Sequence, residues 1–179
     1  MYFFIFGAMK DSGSSYSKDR ISVEKALQKL KHYCRYQERS HSEVKQKLYS
    51  LGLFKKEVEE LISQLIEGGY HNEERFAQQF ASGKSRIKGW GRQKIRYELR
   101  QRGISEFCIG KALETLDETE YEAGFNRLAA KKWTSLQSEK NIFVKKSKWR
   151  QFLLQMGFEP ALIKTWSFPD DKTTGSVAE

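Results

Sequence analysis

Val44-Lys45-Gln46-Lys47-Leu48-Tyr49-Ser50-Leu51-Gly52 returns twice in this chain, as Ile95-Arg96-Tyr97-Glu98-Leu99-Arg100-Gln101-Arg102-Gly103 and as Trp149-Arg150-Gln151-Phe152-Leu153-Leu154-Gln155-Met156-Gly157. Each copy opens on a large apolar residue with a basic residue directly after it. A leucine follows four places on, and a glycine four places after that. Six residues beyond the glycine stand Val58, Ile109 and Ile163. Apolar residues four apart share one face of a helix. A glycine just past the last turn accepts the left-handed backbone that ends it, so these glycines and apolar positions read as structural. The glycines lie 51 and 54 residues apart. Self-similarity at such a period marks stacked supersecondary units, and an array of them presents a long surface rather than an enclosed pocket.

Helical signals extend outward from each copy. Val23, Ala26, Leu27, Leu30 and Cys34 follow the i, i+3, i+4, i+7 template. Ser40-His41-Ser42-Glu43 reads as a capping box. Val58, Leu61, Ile62 and Leu65 complete the first unit before Gly68-Gly69. Asn72 is the expected N-cap of the second unit, with Glu73 and Glu74 at the positive helix end. Phe76, Ala77, Phe80 and Ala81 form its stripe, and Lys88-Gly89-Trp90-Gly91 leads into the second copy. Thr119-Glu120-Tyr121-Glu122 reads as a second capping box, opening the third unit. Residues 134–146 read as a long loop. The spacing predicts an all-α fold: tandem three-helix-bundle repeats, three units and about nine helices, forming an elongated curved array. The boundaries are a disordered extension over 1–20, units at 21–69, 70–117 and 118–168, and a disordered tail over 169–179.

Composition agrees with a folded helical chain. Of 179 residues, 39% are hydrophobic and 31% charged, and the two prolines, Pro160 and Pro169, leave residues 20–159 free of forced breaks. Cys34 and Cys108 are two lone cysteines, which make neither a disulfide framework nor a metal motif, and they read as buried, reduced thiols of a cytoplasmic protein. No run of 18 apolar residues occurs, so a membrane partner is not expected. Tyr2-Phe3-Phe4-Ile5-Phe6 lacks the basic flank of a secretion signal. Met9 reads as the natural start, with residues 1–8 contributed by an upstream start assignment.

The net charge of +9 favours a polyanionic partner. The charge is concentrated. Lys84, Arg86, Lys88, Arg92, Lys94, Arg96, Arg100 and Arg102 face only one acid, Glu98, within residues 84–102. Arg92, Arg96 and Arg100 are four apart, on one side of the middle helix, where like charges repel by a few tenths of a kcal/mol (roughly). A sequence that accepts this repulsion faces an anion. The bland alternative is a solvated basic face. A second cluster includes Lys145, Lys146, Lys148 and Arg150. Trp90 beside the first cluster reads either as a base-stacking ring or as packing, with packing favoured. The third helices are acidic or neutral, as in Glu57-Val58-Glu59-Glu60. They would be repelled from a DNA groove, so backbone contact without sequence preference fits better than specific reading. His32, His41 and His71 are scattered, and no metal, nucleotide-loop or triad pattern is present. The chain is therefore expected to be a non-enzyme without cofactors.

Gly69-Tyr70-His71-Asn72-Glu73-Glu74-Arg75-Phe76-Ala77, then Lys88-Gly89-Trp90-Gly91, then Ile95-x-x-Glu98-Leu99-x-x-x-Gly103-Ile104 resembles the RecX family of recombination regulators. Arg39-Ser40-x-x-Glu43-Val44-x-x-Lys47-Leu48 is also similar. The resemblance covers roughly residues 23–167. It makes Arg75, Phe76, Ala77, Gly91, Ile95, Glu98, Leu99 and Gly103 motif positions, most of them structural on their chemistry, with an Arg75–Glu98 pair as a candidate tie between helices. It implies a bacterial cytoplasmic protein that binds the RecA filament on single-stranded DNA and lowers RecA ATP hydrolysis, strand exchange and coprotease activity; a monomer is expected. Double-stranded DNA is a further expected partner. A free-standing, sequence-nonspecific nucleic-acid binder is the second reading.

Overall fold

In the computed structural model, residues 20–169 are described, and they form nine α-helices without a strand. These are α1 (Val23–Tyr36), α2 (His41–Ser50), α3 (Lys55–Glu67), α4 (Glu73–Lys88), α5 (Arg92–Gln101), α6 (Glu106–Glu114), α7 (Glu118–Ser135), α8 (Ile142–Gln155) and α9 (Pro160–Lys164). Met9, residues 1–8 and the tail from Asp170 onward lie outside the described residues.

The caps explain where the helices begin. The Ser40 hydroxyl accepts the Glu43 N–H at 3.3 Å, and the Glu43 carboxylate accepts the Ser40 N–H at 2.8 Å, so the first capping box forms. Asn72 caps α4 through the Arg75 N–H. The expected box at Thr119 does not form. Asp117, two residues earlier in the same acidic run, caps α7 instead, accepting the Glu120 N–H at 2.7 Å. The expected loop over 134–146 is shorter. Helix α7 runs to Ser135, and Asn141 starts α8 by accepting the Phe143 and Val144 N–H groups. Gly52, Gly103 and Gly157 all have positive φ, at 84°, 73° and 86°.

Burial follows the repeat. Val44, Ile95 and Trp149 are buried, as are Leu48, Leu99 and Leu153 four residues later. Three separate apolar clusters result. The first draws on α1–α3, the second on α4–α6 and their connections, and the third on α7–α9 and the flanking Phe158. The third is aromatic: Tyr121, Phe125, Trp133, Trp149 and Phe158 are buried together, and the Trp149 indole N–H donates to Ala129 O at 3.0 Å. Cys34 is buried and Cys108 half-buried, both free.

The joints between clusters use repeat-equivalent positions. At one joint the first turn of α5 abuts the last turn of α8. Gly91 N–H donates to Met156 O at 2.8 Å and Gln93 N–H to Gly157 O at 3.0 Å. At the other, the Ser42 hydroxyl at the start of α2 approaches Arg102 O at the end of α5, a long 3.5 Å contact. The carbonyl immediately before the repeat glycine is the acceptor in both. At the free end of α2 the equivalent carbonyl, Leu51 O, lies 3.5 Å from the Ile21 N–H. A helix C-terminus carries unsatisfied carbonyls and partial negative charge, so a neighbouring donor is the natural cover for it.

Candidate nucleic-acid interface

Helix α5 divides its charges into rows. Ile95 and Leu99 face the core. The row Arg92, Arg96 and Arg100 faces carboxylates from outside the local sequence window. Arg92 pairs with Glu118, lies 3.5 Å from Glu159, and stacks its guanidinium 4.1 Å from the Tyr121 ring centre. Its backbone N–H donates to the Tyr121 hydroxyl at 3.0 Å, and that hydroxyl donates to Glu159 at 2.8 Å. Burial pushes the Tyr121 phenol well above its ordinary range, so it stays a donor. Arg96 and Arg100 share Glu106, with Arg96 at 3.7 Å and a two-pronged contact from Arg100. The hydrogen bond from Arg100 holds the Glu106 carboxyl below its usual range.

The opposite row faces α4 and builds a different arrangement. Lys94 Nζ lies 4.8 Å from the Trp90 ring centre, and Lys84 Nζ lies 5.2 Å from both Trp90 and Phe80. Arg102 continues the series, 4.8 Å from Phe80, and pairs with Glu98 at 2.7 Å. Cation and ring thus alternate from Lys94 through Trp90, Lys84 and Phe80 to Arg102. The rings touch edge-on, with centres 6.4 Å apart. Aromatic faces attract cations, and the lysine stems cover apolar ring surface while their heads stay at the water boundary. Trp90 also packs on the second core, so it serves packing and cation placement together. Phe80, Lys84, Lys88 and Arg102 line a groove of about 360 Å³ together with Glu38 and Glu43.

The remaining predicted cations sit apart from this ladder. Arg86 pairs with Glu120 at 2.8 Å, while Lys88 is exposed and forms no ion pair among the described residues. In the third cluster Lys145 lies 4.0 Å from the Trp133 ring centre and Lys146 4.5 Å from that of Phe168. Lys148 pairs with Glu139 at 2.7 Å, and Arg150 is exposed.

Among the motif positions, Phe76, Ala77, Ile95 and Leu99 are core. Gly91 is the N-cap of α5, and a side chain there would overlap the Gly157 carbonyl. The expected Arg75–Glu98 tie does not form. Arg75 instead bonds Glu38 and Gly69 O, and Glu98 is held by Arg102. Arg75 stands at the start of α4, beside the α1–α2 connection, whereas Glu98 lies one turn from Arg102 on its own helix. Sequence reading missed Phe80 as a cation platform and the carboxylates that meet the arginine row. Phe80 carried a local signal, since Lys84 follows it by four residues. Glu106, Glu118 and Glu159 did not, because they lie outside the basic window.

A family model described as RecX, second three-helix domain, matches residues 72–113. The regulatory protein RecX of Pelodictyon phaeoclathratiforme is 36% identical over 123 residues, covering 68% of this chain and 74% of that protein. That of Clostridium tetani is 32% identical over 121 residues, and the match spans 67% of this chain but only 55% of the relative. The crystal structure of RecX from Lactobacillus salivarius superimposes with a TM-score of 0.70 at 26% identity, covering 80% of this chain and 92% of that one. With helices, caps and middle-unit motif all in place, the chain belongs to the RecX family.

Proposed function

We propose that this protein regulates the RecA recombinase by binding the RecA filament on single-stranded DNA. The observation that carries the reading is the alternating ladder of Lys94, Trp90, Lys84, Phe80 and Arg102, set in the unit that matches the family model. Lys84, Lys88 and Lys94 present ammonium groups to phosphates. Arg86, Arg92, Arg96, Arg100 and Arg102 form the charged surround, their pairs with carboxylates open to exchange where exposed. Lys145, Lys146, Lys148 and Arg150 on α8 supply a second contact region. The chain acts as a non-enzymatic cytoplasmic monomer, with residues 21–69, 70–117 and 118–168 as its repeats.

Preferential binding to one filament state is sufficient for regulation, because a ligand shifts an equilibrium by its differential affinity for the two states. Contacts spread over several units sum through avidity. Bridging neighbouring RecA subunits would hinder their ATP-linked motion, lowering hydrolysis, strand exchange and coprotease activity. Duplex DNA offers the same phosphates and is a further partner. The same cations also suit a free-standing, nonspecific nucleic-acid binder. The deciding measurement is RecA ATP hydrolysis on single-stranded DNA as this protein is titrated in. A falling rate is expected. An unchanged rate at saturation, with DNA binding retained, assigns the second reading.

A further inference from the structure

We infer that Tyr97 is a stacking platform for an unpaired base, and that it makes this protein favour single strands over duplex. The inference rests on the nucleic-acid-binding reading above and adds the part of the ligand that phosphate contacts leave unread. Tyr97 stands at the centre of α5 and is 59% exposed. It lies between the two charged rows, with Lys94 three residues before it and Arg96 and Arg100 on the other side. Gln93 and Gln101, one turn to either side, are exposed and uncharged.

The neighbouring rings are already occupied. Trp90 has Lys84 and Lys94 over it, and Phe80 has Lys84 and Arg102. Both also pack on the second core. Tyr97 has no ring, cation or hydrogen-bond partner among the described residues. The helix that carries it is held at its first turn by the backbone bonds to Met156 and Gly157, so the ring sits on a fixed support. An exposed ring flanked by cations matches the pairing of base face and phosphate in a single strand. In a duplex the base faces are covered by their neighbours, and only phosphates and groove edges are offered.

The test compares wild type, Tyr97→Ala and Tyr97→Phe for binding a short labelled polythymine strand and a duplex of equal length, by fluorescence anisotropy. A strand carrying 2-aminopurine reports stacking by quenching. Tyr97→Ala is expected to lose about fivefold or more in single-strand affinity, together with the quenching. Duplex affinity should stay within about twofold, because the ring makes no phosphate contact. Tyr97→Phe should behave as wild type, since the ring is kept. An alanine variant that binds the single strand as wild type does, or loses strand and duplex alike, overturns the assignment. If wild type binds and lowers RecA ATP hydrolysis while Tyr97→Ala is indistinguishable from it, this inference falls alone. If wild type binds neither nucleic acid, the broader reading falls with it.

Discussion

Arg92 and Lys84 carry the same charge in the same basic run, yet their surroundings give them different work. Arg92 joins α5 to Glu118, Glu159 and Tyr121, and its side chain is only 24% exposed. Lys84 lies across two rings and meets no carboxylate within the ion-pair distance among the described residues. Arg92→Ala should therefore cost about 1–2 kcal/mol of unfolding free energy, read from the urea midpoint. Lys84→Ala should stay within about 0.5 kcal/mol of wild type and weaken DNA binding instead. His71 makes a second prediction. It is buried, its Nδ1 has no partner, and its ring centre lies 5.8 Å from that of His41. Burial, then His41, lowers its pKa from the ordinary 6.5, against Glu38, Glu73 and a hydrogen bond to the Arg39 backbone. The unfolded chain then binds the proton more readily than the folded one. Stability is intact above 6.5 and is lost as pH falls from there toward the lowered folded value. Urea titrations from about pH 7 to 5.5 should show this loss, and His71→Leu should flatten it.

The joint between α5 and α8 depends on two glycines for space rather than for charge. Gly91 has an ordinary φ of −77°, so its need is the close approach of the Gly157 backbone. Gly157 needs both freedoms: its φ is 86°, and a side chain there would meet Lys94. Gly91→Ala should destabilise by about 1–3 kcal/mol, the usual cost of forcing atoms into a packed contact. Gly83, inside α4, meets nothing within 4 Å of an added methyl group. Gly83→Ala should stabilise by about 0.5–1 kcal/mol, because it removes backbone entropy from the unfolded chain at no steric cost. Thermal melts of the two variants should move in opposite directions. Asn72, Ser40 and the repeat glycines were legible from residue type and spacing, since their hydrogen bonds close within a few residues. The start of α7 was misread because Asp117 and Thr119 are both adequate caps, and the choice between them depends on how α7 docks.

The +9 charge sets a field around the protein, and the cations that give the strongest salt dependence are those free to meet phosphate. Binding to single strands should weaken linearly with the logarithm of salt concentration. Replacing Lys84, Lys88 and Lys94 together by Ala should lower that slope by about 2, at about 0.7 for each contact. Replacing Arg96 and Arg100 should change it less, because Glu106 already meets both. A titration of affinity against KCl checks both, and equal slope losses would show that the carboxylate pairs open completely on binding. The periodic apolar residues and the glycine turns made the helical repeat, and with it the three cores, readable before any coordinates. They work through spacing along one helix and backbone freedom at one residue, and both are written locally. Which arginines are neutralised, which rings lie under lysines, and why Gly91 can bear no side chain were settled only by folding. Those properties belong to pairs such as Arg92 with Glu159 and Gly91 with Gly157, which packing brings together from more than sixty residues apart.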